Sequence, residues 1–425
     1  MPKIRPFRAL RYDTKKAGDI RDLVAPPYDI IYDEWRDRLY ARNPFNIIRL
    51  IKTKDEAEAG EEIDKYRRAA GYISSWMDNG VLRREDAPAL YIRSETYEID
   101  GETKTRYGFV GLVRLEEFGR GIFPHERTLS GPKIDRLNLV KATRTNLSQV
   151  FGVFRDPGKE VHEHILKASL HTPDVSFIDE QGIRRKMWIL KDTETIHHIQ
   201  EKMLDRAIII ADGHHRYETA LAYRELTEPE REKEDEPFDY ISMYFSSIDD
   251  PGMTILPTHR KAGEMHSFNS EKFLEKLTGD FEIEYPKGRG LREILQLMKE
   301  NSAATTVIGI YSGGEFKITR LKHPKVPKEL DVDILHGMII EKILKISRED
   351  IAAGKFVQFC QSPEHAMEDV DRRKDQIAFF LNPIRPEEMF PRVIKGIRMP
   401  QKSTYFYPKT LSGLVMYRID RESLE

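Results

Sequence analysis

The sequence has little cysteine, no long apolar run and almost no net charge. Its 425 residues include a single cysteine, Cys360, so disulfide bridges and cysteine zinc sites within the chain are excluded. No stretch of about 18 apolar residues is present, which excludes a membrane-spanning helix. The 69 basic and 71 acidic residues leave a net charge of −2, so no global positive field favours nucleic acid. Any anion site must therefore be built locally.

The composition and the first residues indicate a globular protein of the cytoplasm. Hydrophobic residues make up 39% and charged residues 33% of the chain, as in folded, charge-rich proteins rather than disordered ones. The opening segment, MPKIRPFRALRYD, lacks the apolar region of a signal peptide. We therefore expect cytoplasmic localisation and no membrane partner. The length exceeds one typical core and predicts two or three domains.

Alternating strand and helix patterns predict an α+β protein with mixed sheets. Segments in which apolar and polar residues alternate predict three hairpins, with turns at Asp100-Gly101, near Gly182 and at Gly313-Gly314. Helical spacing of apolar residues is present over 58–80, 192–205 and 331–344. We predict an N-terminal α/β domain, a middle segment and a C-terminal α/β domain, over 1–155, 156–265 and 266–425.

The most informative segment is RAIIIADGHHRYETALAYREL, residues 206–226. An apolar strand stops at Ala211, and the apolar spacing of a helix resumes at Tyr217. A glycine permits a tight turn between them, and the unpaired amides of a first helical turn favour a bound phosphate. The candidate residues of this turn are Asp212, Gly213, His214, His215 and Arg216.

These residues have both functional and structural interpretations. Arg216 can hold a phosphate through two hydrogen bonds, and His214 and His215 add donors. Asp212 can bind a magnesium ion or cap the helix. The alternative interpretation is a capped helix with two surface histidines. A histidine metal pair is disfavoured, because adjacent histidines point apart and no third ligand is evident.

A second cluster of charges lies in FPHERTLSGPKIDRLNLVKATRTN, residues 123–146. Such a segment can supply several cations for a polyphosphate and one carboxylate for general-base chemistry. Glu126 is the candidate base, and His125 is the candidate orienting residue. The candidate cations are Arg127, Lys133, Arg136 and Arg144. A solvated charged loop is the alternative interpretation.

Two further segments, MPQKSTYFYPK over 399–409 and APPYD over 25–29, combine donors with rigid aromatic side chains. Their candidate substrate residues are Lys402, Ser403, Thr404, Tyr28 and Asp29. A strand that packs its tyrosines and a proline-braced surface turn explain the two segments equally well. No Walker loop, dinucleotide-binding glycine fingerprint or kinase signature is present.

These motifs together resemble a bacterial and archaeal family catalogued as domain of unknown function 1015. The resemblance extends from about Pro6 to Met416, essentially the whole chain. It rests on the segments PFRALRYD, VAPPYDII, NPFNIIRL, PHERTLSGPKIDRLNL, ADGHHRYETAL and MPQKSTYFYPKTLSGLV. The family name implies no activity.

The strand, the Asp-Gly-His-His-Arg turn and the helix also resemble the phosphate-binding signature of the ParB and sulfiredoxin-like superfamily. Members bind CTP or ATP with this signature, and one branch phosphorylates free serine. The resemblance implies a ParB/sulfiredoxin-like nucleotide-binding core within 156–265, with ATP or ADP and Mg²⁺ as cofactors. It also implies that Gly213, His214, His215 and Arg216 bind nucleotide phosphates. Asp212 would match the aspartate of the serine kinase branch, and Glu126 its glutamate base.

The sequence therefore favours a kinase that transfers phosphate from ATP or ADP to a hydroxyl of a small metabolite such as free L-serine. Arg127, Lys133 and Arg144 would stabilise the transferred phosphoryl group. The alternative is a ParB-like nucleotide-binding regulatory or DNA-associated protein, although no helix-turn-helix or strongly basic face is evident. A non-catalytic metabolite-binding module is the third possibility. The expected partners are a nucleotide and a small-molecule substrate, not nucleic acid, and the oligomeric state stays open.

Overall fold

The chain is described by a computed structural model over residues 2–54, 64–126, 131–266, 268–302, 305–324, 329–373 and 375–425, with backbone alone at 131 and 132. It divides into two compact units, one formed by Met1–Thr254 with Pro408–Glu425 and the other by Ile255–Tyr407. Both contain sheets and helices, which confirms the predicted α+β class. Within the described ranges, no helix is long and apolar enough to cross a membrane.

The first unit is built on a nine-stranded mixed sheet. Eight strands follow one another in the order Ile122–Pro124, Ile208–Asp212, Val150–Phe154, Tyr240–Ser247, Glu102–Arg114, Leu90–Ile99, Arg184–Leu190 and Val175–Ile178. The ninth, Ile4–Arg5, pairs with Glu102–Arg114. Two pairs are parallel, Ile208–Asp212 with Ile122–Pro124 and Tyr240–Ser247 with Val150–Phe154. The hairpins predicted at Asp100-Gly101 and near Gly182 are confirmed.

Helices cover this sheet and complete a second core. Those of the first unit are Thr14–Ala17, Asp33–Arg42, Ile48–Ile51, Lys65–Asp78, Gly131–Thr143, Glu160–Ala168, Thr193–Met203 and His214–Thr227. Apolar residues such as Ile165, Ile199 and Tyr217 pack on the sheet. The predicted helix over 58–80 is present as Lys65–Asp78, and 58–63 lie outside the described residues. Two short strand pairs complete the unit, Leu10–Tyr12 with Leu82–Arg84 and Thr145–Asn146 with Tyr417–Arg418.

The second unit contains a six-stranded antiparallel sheet. Its strand order is Phe281–Glu284, Glu315–Leu321, Val307–Ser312, Ile377–Phe380, His259–Ala262 and Val357–Cys360. The hairpin predicted at Gly313-Gly314 is confirmed. The helices are Ser270–Leu277, Leu291–Asn301, Asp331–Ile334, which continues as the π-helix Leu335–Ile343, Arg348–Ala352, Pro363–Asp371 and Pro386–Ile394. A short strand pair joins Thr254–Leu256 to Tyr405–Tyr407.

The two units differ from the three predicted segments. A boundary at 155 separates Val150–Phe154 from Ile208–Asp212 and Tyr240–Ser247, its two neighbours in one sheet. The predicted core over 156–265 is therefore only part of a larger unit. The last residues, Pro408–Glu425, also return to the first unit, where Tyr417 pairs with Asn146. Hydrogen bonds between strands distant in sequence set these boundaries, and no local pattern shows them.

Candidate functional site

The predicted turn from strand to helix is present in the first unit. The strand Ile208–Asp212, which we call the motif strand, lies between two other strands of the large sheet. Gly213 follows it with φ of 90°, a left-handed conformation that glycine adopts without steric cost. The helix His214–Thr227, the motif helix, begins at the next residue. The first amide groups of this helix consequently lie at the edge of a rigid sheet.

The second predicted segment meets this turn. Its strand Ile122–Pro124 runs parallel to the motif strand, so His125 and Glu126 emerge beside the start of the motif helix. The His125 backbone N–H donates to His214 Nε2 at 3.3 Å, across 89 residues of sequence. The carboxylate oxygens of Glu126 lie 3.8 Å from His125 Nε2 and 3.9 Å from His214 Nδ1. Two motifs that are separate in the sequence are therefore neighbours in the fold.

Hydrogen bonds define the tautomers of the two buried histidines. His125 Nδ1 lies 2.5 Å from the Ile210 carbonyl oxygen, which can only accept, so the proton is on Nδ1. His214 Nε2 accepts from the His125 amide, so the His214 proton is on Nδ1, facing Glu126. Burial lowers the pKa of His125 and lowers that of His214 well below its usual value. Both rings are therefore neutral at pH 7, and His214, rather than the predicted His125, presents an N–H to Glu126.

The Glu126 carboxylate is partly buried beside the two histidines. Its side chain is 19% exposed, and its Oε2 atom is buried without a hydrogen-bond partner among the described residues. A carboxylate oxygen in this state retains the lone pairs that a general base needs. The neighbouring candidate Arg127 lies outside the described residues.

Asp212 holds two cations. One carboxylate oxygen accepts from Arg216 Nη2 and the other from Lys409 Nζ. Arg216 Nη1 also donates to the Gln149 carbonyl oxygen, so the guanidinium folds back over Gly213. Sequence reasoning missed Lys409 and Gln149. Lys409 is the last residue of the segment 399–409, and no spacing relates it to Asp212.

The described residues around Asp212 do not form a metal site by themselves, because both of its carboxylate oxygens pair with cations. Mg²⁺ at a nucleotide site usually binds one or two carboxylates together with phosphates and waters, so the predicted Mg²⁺ stays a prediction. Across the described part of the chain, no group of three or more His, Cys, Asp or Glu residues is arranged to hold a metal. The two ion pairs of Asp212 orient Arg216 and Lys409.

A buried arginine network holds the backbone that leads to Lys409. Arg185 Nη1 donates to the Lys409 carbonyl oxygen at 3.1 Å, and Arg106 Nη2 donates to that of Pro408 at 2.8 Å. Both guanidinium groups are buried and flank the buried Glu95. Burial alone would raise the pKa of Glu95, but the surrounding arginines lower it below its usual value. The sequence offered one signal for this network, because Glu95, Arg106 and Arg185 are charged residues within predicted hairpin strands.

Sequence comparison places the chain in a family. The model of the family described as "Protein of unknown function (DUF1015)" matches residues 4–333. The chain belongs to the DUF1015 family. No curated protein matches the sequence.

Three solved structures are distantly similar to this DUF1015 member. A conserved hypothetical protein from Pyrococcus furiosus is 12% identical, with a TM-score of 0.36 over 71% of this chain and 93% of that one. A free serine kinase in complex with AMP is 12% identical, with a TM-score of 0.38 over 73% and 94%. SbnI with a C-terminal truncation from Staphylococcus aureus is 11% identical, with a TM-score of 0.34 over 72% and 86%. Likenesses at this level carry no argument about activity.

The remaining candidates of the second segment lie on the helix Gly131–Thr143 or directly after it. Lys133 Nζ is 2.9 Å from Glu218 Oε2 of the motif helix. The Arg136 guanidinium stacks over the Tyr28 ring at 4.1 Å. Arg144 pairs with Glu230 at 3.3 Å, beyond the C-terminal end of the motif helix. A helix of 14 residues is about 20 Å long, so Arg144 is not brought to the motif turn.

The candidate substrate residues are divided between the units. Tyr28 lies beside a cavity of about 50 Å³ in the first unit, which is also lined by Arg136 and Arg216, whereas Asp29 is exposed. Lys402, Ser403 and Thr404 belong to the second unit. Ser403 Oγ donates to the Pro400 carbonyl oxygen at 2.5 Å and lines a smaller cavity of about 20 Å³ there.

Proposed function

We propose that the first unit binds a nucleotide at the motif turn and transfers its terminal phosphate to a hydroxyl of a small metabolite. Glu126 acts as the general base. The observation that carries the proposal is the Glu126 carboxylate, with one oxygen buried and unpartnered among the described residues, beside the first turn of the motif helix. A site that only binds a nucleotide needs the turn but has no use for this carboxylate, so the geometry favours a kinase over a regulatory protein.

The cations of the site suit a polyphosphate. The motif helix presents its amino-terminal amides and the positive end of its dipole. Asp212 holds Arg216 and Lys409 at this turn. Lys133, from the neighbouring helix, pairs with Glu218, one turn further along the motif helix. Phosphoryl transfer depends mainly on positioning and on neutralising charge at the phosphate oxygens. A bound phosphate would compete with Asp212 for the two cations.

The transfer step follows from this arrangement. The acceptor hydroxyl oxygen attacks the terminal phosphorus, and its new P–O bond forms as the bond to the leaving nucleotide breaks. The hydroxyl proton passes to the partly exposed Glu126 carboxylate. Because His125 and His214 are neutral, no imidazolium competes for its electron pairs. ATP or ADP is the proposed donor, and free L-serine is the first acceptor to test.

Glu126→Gln tests the base directly. The amide keeps the size of the side chain but cannot accept the proton, so turnover should fall by roughly 10² to 10⁴. Nucleotide affinity should stay within a few fold. The protein is incubated with ATP or ADP and pooled hydroxyl-bearing metabolites, and phosphorylated products are measured by mass. Glu117→Gln is the control, because Glu117 is exposed and pairs with Arg224 at 3.5 Å.

Two results would count against this assignment. If Glu126→Gln loses nucleotide affinity and stability but turns over normally at saturating nucleotide, Glu126 is a structural residue. If the unaltered protein forms no phosphorylated product from any acceptor, the kinase proposal is wrong.

A further inference from the structure

We infer that the cavity of about 50 Å³ beside the motif helix is a site for one small monovalent anion, a short carboxylate or a halide. A cavity needs about 10–15 Å³ to hold one water molecule, so this volume accommodates an ion of the size of chloride, formate or acetate and excludes larger ligands. Binding there is independent of the proposed kinase chemistry, because it involves neither Glu126 nor a nucleotide.

The wall of the cavity carries positive charge. Arg136 and Arg216 both line it, and none of the described residues that line it is acidic. A guanidinium group has five N–H groups that can donate. Hydrogen bonds to protein oxygens occupy two of these groups in Arg216 and three in Arg136. Both side chains therefore retain N–H groups that can bind an anion.

The two guanidinium groups act on the same side chain of the wall. Burial raises the pKa of Tyr28, and among the surrounding charges Arg136 opposes this rise most strongly, with Arg216 acting in the same direction. Two like charges at one small cavity repel each other. Asp212 compensates Arg216 only in part, because it is shared with Lys409. An anion bound in the cavity offsets the remaining repulsion.

Two neutral side chains of the wall can also donate to an anion. Thr219 is 2% exposed, and its Oγ1 has no hydrogen-bond partner within the described ranges. Buried threonines in helices usually donate to the carbonyl oxygen four residues earlier, as Thr227 does in the same helix, at 2.8 Å to Tyr223 O. Asn146 Oδ1 accepts from a backbone amide at 3.1 Å, which leaves its Nδ2 group as a donor. A wall in which donors prevail suits an anion better than a cluster of waters, which must donate as well as accept.

The rest of the wall limits the charge of the anion. Five of the lining residues are aliphatic: Ile51, Leu139, Val140, Leu147 and Ile241. Transfer of a multivalent ion such as phosphate from water to a wall of this kind carries a large desolvation cost. A halide or a carboxylate with a short carbon chain loses less hydration, and its single charge can be met by the two arginines.

Anion titrations of the full chain, without nucleotide, test the inference. Thermal stability is measured in sodium chloride, formate or acetate, each exchanged against sodium gluconate at constant sodium concentration. Gluconate is the reference because its hydroxylated chain is too long for the cavity. Stabilisation by binding at one site saturates with anion concentration, and it can thereby be distinguished from general salt effects on burial.

Two pairs of variants locate the anion. Thr219→Val removes the hydroxyl at constant shape, and its control, Thr227→Val, removes a hydroxyl that already donates in the same helix. Arg136→Gln removes a guanidinium that lines the cavity. Its control is Arg224→Gln, because Arg224 also bonds a carbonyl oxygen and pairs with a carboxylate but does not line this cavity.

At least one of the three anions should stabilise the unaltered protein more than gluconate does, with a saturating dependence on concentration. Thr219→Val should weaken its apparent affinity by about 2- to 10-fold, the range for one hydrogen bond. Arg136→Gln should weaken it by about 10-fold or more, because hydrogen bonds to charged groups are stronger. Both controls should keep the affinity of the unaltered protein. The anion with the highest affinity shows whether the site takes a halide or a carboxylate.

Three results would overturn the inference. If no anion exceeds gluconate with a saturating effect, the cavity holds water only. If all four variants keep the affinity of the unaltered protein, the anion binds elsewhere. If Arg136→Gln alone loses affinity, the anion lies on that guanidinium outside the cavity. Should Arg136→Gln fail to fold, the comparison of Thr219→Val with Thr227→Val decides. None of these results bears on the kinase proposal, which is tested by Glu126→Gln.

Discussion

Asp212 shows how a single residue arranges a site. Its carboxylate holds Arg216 from the motif helix and Lys409 from a segment 197 residues away. Hydrogen bonds between charged groups are strong and directional, so both cations are oriented before any ligand binds. Cations placed in advance stabilise a phosphate without the reorganisation that mobile side chains require.

Arg216→Ala provides a prediction at this scale. ATP or ADP should raise the melting temperature of the unaltered protein, because a ligand that binds only the native state stabilises it by about 2.7 kcal/mol at a hundredfold excess over Kd. Arg216→Ala should remove most of that shift, since it removes a cation from the motif turn. Arg224→Ala is the control on the same helix, where the guanidinium bonds Leu115 O at 2.7 Å. Equal shifts in Arg216→Ala and the unaltered protein would show that the phosphates bind elsewhere.

At the scale of elements, the motif turn depends on a strand and a helix joined by one residue. The motif strand is held on both sides by hydrogen bonds, and the motif helix packs Tyr217 and Ala220 into the core. Neither element can move to relieve strain between them. Gly213 consequently has to adopt the left-handed conformation that the junction imposes.

Gly213→Ala should affect both stability and binding. A side chain at φ of 90° is strained by about 1–2 kcal/mol, and its Cβ would lie 2.7 Å from Arg216 Nε. Arg216 is flexible enough to move away, but it would then leave Asp212. The free energy of unfolding, measured by urea denaturation, and the ATP-induced shift in Tm should therefore both decrease.

Gly182→Ala separates backbone strain from the site. Gly182 has φ of 78°, and a Cβ there meets no described atom within 4 Å. This variant should lose similar stability and keep the full ATP-induced shift. If Gly213→Ala also keeps the full shift, the position of Arg216 does not matter for nucleotide binding.

At the scale of the whole molecule, both units bury neutral histidines. In the second unit, His336 Nε2 accepts from Arg260 Nε at 3.3 Å, and His259 Nδ1 accepts from the Leu381 amide at 3.2 Å. Burial, reinforced by Arg260, lowers the pKa of His259 to about 4 and that of His336 to about 3. His125 and His214 show the same direction in the first unit.

Because these histidines are buried in the neutral form, we expect the protein to lose stability in mild acid. The unfolded chain binds protons at histidine below about pH 6.5, while the buried rings stay neutral, so the unfolded state gains protons that the native state does not. The free energy of unfolding should be constant above that pH and fall as the pH approaches the lowered native values. Between pH 7 and 5.5 the loss should be about 1 kcal/mol for each such histidine.

Denaturation by urea at pH 7 and 5.5 measures this effect. His336→Gln should reduce the loss of unfolding free energy between these pH values by the contribution of one histidine, about 1 kcal/mol. The exposed His197, 3.2 Å from Glu201, is the control, and His197→Gln should leave the slope nearly unchanged. A free energy of unfolding that does not change between these pH values would contradict the neutral burial of the four rings.

The sequence by itself determined the α+β class, the hairpins at Asp100-Gly101 and Gly313-Gly314, and the junction at Gly213. These features follow from local rules, because side-chain periodicity and glycine conformation act over a few residues. The sequence was sufficient to select Glu126 as the candidate base from its residue type. It was not sufficient to place Glu126 beside the motif turn.

Only the tertiary structure decided which candidates meet. The parallel pairing of Ile122–Pro124 with the motif strand brings Glu126 to His214, and the return of the C-terminal segment brings Lys409 to Asp212. The length of the motif helix leaves Arg144 at the opposite end. Strand order and register depend on hydrogen bonds and burial summed over the whole sheet, so segments distant in sequence become neighbours without any local signal.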